Sequence, residues 1–352
     1  MRRSVAGVFL SITLASATLI AALPNHAFAQ MAPAVTTAPV EPPNVQTASG
    51  PDLETVVISG RYPGPGLWKI RKGDHVLWIL GSQSPLPKRM DWDSANVERI
   101  IAGSQEVLMP PAVEMDADVG FFRGLTLLPS LFNALKNPDG KTLGEVLPAA
   151  QYARWQVLKQ RYIGSNRGIE ERRPIFAAVE LYEKAIAHSG MTDKDLASDV
   201  VSRTAKKHRI HVTTPKVTIR IKEPKSALKA FANETINDQE CFSKTLDRIE
   251  SDLGTMILRA NAWAEGDIET LRALPYSNQF DACFAAFSSS AVARKEGMLD
   301  VEKRLTSLWF DAAEAALAKN ASSFAVLPVK ELLQAGGYFE AMTAKGYVIE
   351  EP

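Results

Sequence analysis

Apolar and polar residues alternate through LWKIRKGDHVLWIL (67–80), on both sides of Lys72-Gly73-Asp74. A period of two puts every second side chain on one face of a strand, and a short Gly-containing break between two such runs predicts a hairpin. EVLM (106–109) predicts a further short strand, stopped by Pro110 and Pro111. Residues 143–187 carry a helical pattern broken at Gly164–Gly168, with Pro174 suited to a first helical turn. Residues 193–208 predict a capped helix, followed by the β-prone HVTTPKVTIRI. The clearest helix spans 234–263, where Phe242, Leu246, Ile249, Leu253, Met256, Ala260 and Trp263 step by three and four along one stripe. A second spans 301–318, with Leu305, Leu308, Trp309, Ala312 and Ala316 inward. The chain ends with a strand (SFAVL), Pro328 opening a short helix, Gly336-Gly337, another helix capped by Gly346, and a last strand, YVIE. Strands scattered among helices predict a mixed α/β domain, mostly helical, with a central sheet flanked by helices.

The first residues follow another pattern. Arg2 and Arg3 precede an apolar run to Leu23, and small residues follow at Ala27–Ala29. These are the parts of a secretory signal peptide, expected over residues 1–29. Ser11, Thr13, Ser16 and Thr18 interrupt the run, and it is short for a bilayer span of about 20 residues. The product is expected to be exported, periplasmic or secreted, with no transmembrane span after cleavage. Residues 30–66, rich in Pro, Ala, Thr and Val, predict a disordered linker interrupted by the β-prone TVVISG (55–60). The domain proper is expected at 67–352. Lys+Arg and Asp+Glu both number 40, so no charge excess points to a nucleic-acid partner.

Cys241 and Cys283 are the two cysteines. In an exported chain this predicts a disulfide, the alternative being two buried free thiols. Among the histidines, His75 falls in the hairpin and His188 near a helix C-terminus, where a cation suits the dipole. His208 and His211 lack a third ligand at a recognised spacing, so solvated side chains are expected. EMDADVG (114–120) begins like a calcium loop, but an EF-hand needs glycine at the sixth position and glutamate at the twelfth. Val119 and Leu125 stand there, so an acidic exposed loop is expected. GSQS (81–84) ends an apolar run as a catalytic loop would, yet it lacks the second glycine of a nucleophile elbow.

Taken together, LWKIRKGDHVLWILGSQSPLP, EVLMPP, ETINDQECF, AWAEGDIETL and FAVLPVKELLQAGGYFEAMTAKGYVIEEP resemble the TraB/GumN family in order and spacing, over nearly all of 67–352. The resemblance implies an α/β domain whose strand ends carry two Gly-x-x-His motifs and a glutamate, which in animal relatives build a metal-dependent protease site. This sequence departs at each place. Ser84 stands at the first histidine position, Pro110 or Met109 at the glutamate, and Glu331 at the second histidine, after Pro328-Val329-Lys330. The arginine-asparagine pair expected before Trp309 falls near Leu305-Thr306. Glu234, Gln239 and Gly266-Asp267 match the family pattern. The expectation is a divergent member without metallohydrolase activity and without a cofactor. It would act by binding or assembly with an envelope protein or glycan, and the emptied pocket would hold Ser82, Gln83, Ser84, Pro110, Glu234 and Glu331. The rival expectation is a peptidase-like hydrolase rebuilt around Ser84, Glu234 and Glu331. A structural reading of Glu331 alone places it in a helix's first turn, where its charge suits the dipole.

Overall fold

The computed structural model describes residues 62–117, 119, 121–276 and 279–352. The expected signal peptide and residues 30–61 of the expected linker, TVVISG included, lie outside the described residues, whereas its last residues, 62–66, are ordered: Tyr62 bridges to Trp92 and the Gly64 amide donates to the Ala264 carbonyl at 2.9 Å. The chain runs β1 (Leu67–Lys72), β2 (His75–Ser82), β3 (Leu86–Pro87), α1 (Ala95–Ala102), β4 (Glu106–Leu108), β5 (Ala112–Ala117) and α2 (Phe121–Ala134). Then come α3 (Leu143–Val146), α4 (Ala149–Tyr162), α5 (Pro174–His188), β6 (Met191–Thr192), α6 (Leu196–His208), β7 (His211–Thr213), β8 (Lys216–Ile221) and α7 (Pro224–Asn233). A run of helices follows: α8 (Gln239–Ser251), α9 (Leu253–Glu265), α10 (Ile268–Ala273), α11 (Gln279–Ser288), α12 (Ala291–Lys295) and α13 (Val301–Lys319). The last elements are β9 (Ser322–Pro328), α14 (Val329–Leu333), α15 (Tyr338–Ala344) and β10 (Val348–Glu350).

The domain is mixed α/β, mostly helical, around a six-stranded sheet ordered β10-β1-β2-β9-β4-β7. The predicted hairpin forms, pairing Leu67 with Leu80 and Lys72 with His75. Gly73 turns it at φ +59°, which glycine adopts without steric cost. β2, β9, β4 and β7 are mutually parallel. β9, late in sequence, sits between β2 and β4, and Phe324, Ala325, Val326 and Leu327 are fully buried. A strand covered on both faces reads as a continuous apolar run, which is why SFAVL does not alternate. Because the four strands are parallel, Ser82, Leu108, Thr213 and Pro328 all lie at the same edge of the sheet.

Three expectations change. The long helix begins at Gln239 and breaks at Asp252. Residues 234–238 are drawn off by tertiary bonds: the Glu234 carbonyl accepts from Arg173, and the Asp238 carboxylate accepts from the Ile175 amide at 2.8 Å. Its apolar stripe nevertheless stays buried across the break. The acidic segment is no exposed loop, for most of it belongs to β5. There Glu114 and Asp116 lie beside Lys216 (3.7 Å) and Arg220 (3.1 Å) of the parallel partner β8. Opposite charges at two-residue spacing on neighbouring strands stabilise the pairing that each strand alone could not specify. In α13, Trp309 and Ala316 are buried, but Leu308 is 37% exposed and Leu305 is half-buried.

β5 leads into α2 and β8 into α7, so strand pairs with strand and helix with helix in a small arm outside the main sheet. The predicted disulfide joins Cys241 of α8 to Cys283 of α11, with α9 and α10 between them in sequence. No helix among the described residues is long and apolar enough to cross a membrane.

Candidate functional site

The GSQS loop leaves β2 at the shared strand edge. Gly81 is required there: a Cβ would approach the Trp68 ring to 2.9 Å and Val329 to 3.2 Å. Its carbonyl accepts from the buried Trp263 indole at 2.6 Å, tying the loop to α9. Ser82 and Gln83 are buried, and the Gln83 amide donates to the neighbouring Ser84 carbonyl at 2.9 Å. The Ser84 hydroxyl donates to the Asp193 carbonyl at 2.8 Å, at the approach to α6. That bond anchors a loop; it does not raise the nucleophilicity of an oxygen, which would take a base as its partner.

A cleft of about 730 Å³ opens where β4 and β9 end. Its walls include Pro110, Pro328 and Glu331, together with Leu305 and Thr306 of α13 and Tyr338 at the start of α15. Of the two positions considered for the family glutamate, Pro110 lines this cleft, whereas Met109 packs against the core and takes the Ser202 hydroxyl on its sulfur at 3.9 Å. Lys330 pairs with Asp281 of α11 at 2.9 Å. Glu331 accepts from the Gln334 amide at 2.8 Å. Burial pushes the Glu331 carboxyl above its ordinary range, helped by the negative charges of Asp281 and Glu302, and Lys330 offsets this only in part. Tyr338 is also pushed up, first by burial and then by the Glu331 charge, against a lowering hydrogen bond with Thr306.

A raised carboxyl has a signed consequence. Folded Glu331 holds its proton more tightly than unfolded Glu331, so its contribution to stability is complete below the unfolded value of 4.5 and is lost as pH rises through the folded value. Glu331→Gln is therefore expected to melt higher than the parent at neutral pH, with the gap closing as pH falls toward 4.5. Melting curves across that range check it; a gap independent of pH would contradict the assignment.

Glu234 is placed elsewhere. Its carboxylate accepts from the Ala291 amide and, at 3.4 Å, from that of Val292, so it caps α12. His75 Nδ1 lies 2.6 Å from the Leu317 carbonyl, His188 meets the Tyr162 ring edge-on, and His208 and His211 are exposed. Of the six pocket candidates, Pro110 and Glu331 line the cleft. The sequence reading missed Asp281, Glu302, Lys330 and Tyr338. Lys330 could have been read beside Glu331, but the others come from separate helices and carry no local pattern.

The divalent cation that the resemblance implies does not fit these side chains. Proline offers no side-chain donor, the Lys330 ammonium repels a cation, and Asp281 already compensates that ammonium. Among the described residues, no group of three His, Cys, Asp or Glu is placed to hold a metal ion. The Gly266-Asp267 turn does form as the family pattern implies. Gly266 closes α9 at φ +73°, and the Asp267 carboxylate accepts from the Thr270 amide at 2.9 Å to start α10.

No curated protein and no solved structure matches the chain. The model of the TraB/PrgY/gumN family matches residues 66–351, which is most of the sequence and nearly all of the described fold. With the sheet, the strand-edge cleft and this match in hand, the chain belongs to the TraB/PrgY/gumN family.

Proposed function

We propose that this protein is exported and works in the cell envelope by binding a ligand or partner in the strand-edge cleft, without metal-dependent hydrolysis. The observation that carries the reading is the cleft wall itself. Pro110, the Lys330–Asp281 ion pair and the carboxyls of Glu302 and Glu331 line it without an imidazole, and no three of its possible ligands are placed to hold a metal ion among the described residues. Glu302, Glu331 and Thr306 offer acceptors beside the apolar surfaces of Phe284, Leu299 and Leu305. That combination suits a ligand presenting hydroxyl or amine donors next to a carbon face, as glycans and peptides do. Export rests on the basic start, the interrupted apolar run and Ala27–Ala29. A raised carboxyl such as Glu331 could serve a general acid. A hydrolase built on Ser84, Glu234 and Glu331 would, however, need the three in reach of one bond, and Ser84 and Glu234 are engaged elsewhere.

One sample tests the proposal. Protein isolated from the envelope fraction of its producer is expected to begin at Gln30 by mass spectrometry and to carry no stoichiometric zinc, manganese or cobalt. An intact Met1 would refute export, and one equivalent of any of these metals, retained through dialysis, would refute the loss of metal chemistry.

A further inference from the structure

Away from the cleft, buried polar atoms without partners gather where α8 hands over to α9. Arg248 Nε, Asp252 Oδ2, Arg259 Nε and the Tyr276 hydroxyl are all shielded from solvent, and none makes a hydrogen bond. Arg248 is 6% and Arg259 is 2% exposed. A pocket of about 320 Å³ opens at this point, lined by Lys244, Asp247, Arg248, Asp252 and Tyr276, with Ser251 and Pro275 at its rim. Arg248 Nε and Asp252 Oδ2 are 3.9 Å apart, close enough to attract but too far to hydrogen-bond.

Among the buried groups the charges do not balance. Lys244 is paired with Glu240, and Asp247 shares Arg154 with Glu250, all of them partly exposed. The two buried guanidiniums of Arg248 and Arg259 are left with the one carboxylate of Asp252 between them. Arg248 stacks near the rings of Tyr182 and Phe280, at 5.5 and 5.7 Å, and Arg259 lies 4.8 Å from the Tyr276 ring. Cation–π contacts soften the desolvation of a guanidinium but do not supply its counter-charge. Burial pushes the Arg259 guanidinium down, against the opposing pull of Asp252 and Tyr276, and the neighbouring Arg248 adds a smaller push.

We propose that this pocket binds a small oxyanion that also carries a hydroxyl, of the hydrogenphosphate class. Its bare oxygens would accept from Arg248 Nε and the Tyr276 hydroxyl, its own hydroxyl would donate to Asp252 Oδ2, and its charge would balance the second guanidinium. Free phosphate keeps such a proton on a large share of its ions at neutral pH. Sulfate and a phosphate monoester, whose second pKa is about 6, do not.

Calorimetry and melting of the signal-cleaved, disulfide-intact protein at pH 7 and matched ionic strength test the site. Sodium phosphate is expected to bind saturably and raise the melting temperature, with sulfate weaker by about tenfold or more, the value of one hydrogen bond to a charged group. Tyr276→Phe, which removes only a hydroxyl, should weaken phosphate by several fold. Asp252→Asn supplies a donor and should move the preference toward sulfate. Methyl phosphate, mostly a dianion without a P–OH at pH 7, is expected to bind as weakly as sulfate, and binding as tight as that of phosphate would overturn the role given to Asp252. Equal responses to phosphate, sulfate and chloride, or phosphate binding untouched by both substitutions, would mean that solvent alone fills the pocket and would overturn it.

Discussion

Arg173→Ala is expected to destabilise the protein by about 3–5 kcal/mol, the range for uncovering a buried charge network. Arg173 is 1% exposed. Its guanidinium donates to the carbonyls of Ala134 (3.2 Å), Phe231 (2.6 Å), Ala232 (3.0 Å) and Glu234 (2.7 Å), and it lies 4.8 Å from the Phe231 ring. Those carbonyls end α2 and α7, so one side chain satisfies the acceptors that two helix C-termini leave open. Alanine would take the donor from all four, and only the Phe231 carbonyl would keep another, the Glu234 amide at 3.2 Å. The damage should be local first: amide exchange should quicken in α2 and α7 before it changes in β2 or β9. Lysine should not rescue, because a point charge cannot reproduce the guanidinium fork. Urea unfolding and hydrogen exchange provide the check, and a stability loss under 1 kcal/mol would show that water replaces these bonds without cost.

Replacing both cysteines with serine is expected to cost about 2–5 kcal/mol, with the chain-entropy estimate near 4 kcal/mol for a loop of this length. The bridge spans 42 residues and its Cα atoms are 4.5 Å apart. Cys241 is fully buried in a cluster with Ala134, Ile175, Phe231, Ala232, Ile236 and Ala286, the residues around the Arg173 bonds. The two perturbations share one cluster, so a triple variant should lose less than the sum of the separate losses. Chemical unfolding with and without reductant measures the effect. An unchanged midpoint on reduction would mean that α8 and α11 are held together by packing alone.

Much of the fold was legible along the chain because its elements carry local signatures. The β1–β2 hairpin follows from two alternating runs around Gly73, and β9 from an unbroken apolar run ahead of Pro328. α6 starts where Asp195 accepts from the Ser198 amide at 2.9 Å, as a capping residue should. The start of α8 was not legible, because the forces that unwind 234–238 come from Arg173, Ile175 and Ala291. Nor was β5: its carboxylates read as a solvated loop until Lys216 and Arg220 of β8, about a hundred residues away in sequence, are placed beside them.

The site divides in the same way. Residue identity alone determined that Ser84, Pro110 and Glu331 cannot reproduce a two-histidine, one-glutamate metal site, since ligand chemistry belongs to the side chain wherever it lies. The cysteine count, with the oxidising destination that an expected signal peptide implies, likewise pointed to a Cys241–Cys283 bridge. Only the tertiary structure decided that Pro110 and Glu331 share a cleft, that Glu234 caps α12, and that Ser84 is held by Asp193. Each of those placements depends on pairings between distant elements: parallel strands β4 and β9, loop against α6, and helix against helix. Such pairings are set by burial and backbone hydrogen bonding over the whole domain, and a sequence pattern carries information about them only where both partners carry a recognisable motif. The pocket at the α8–α9 turn has none: Arg248, Asp252, Arg259 and Tyr276 became a site only when packing buried their polar atoms without partners.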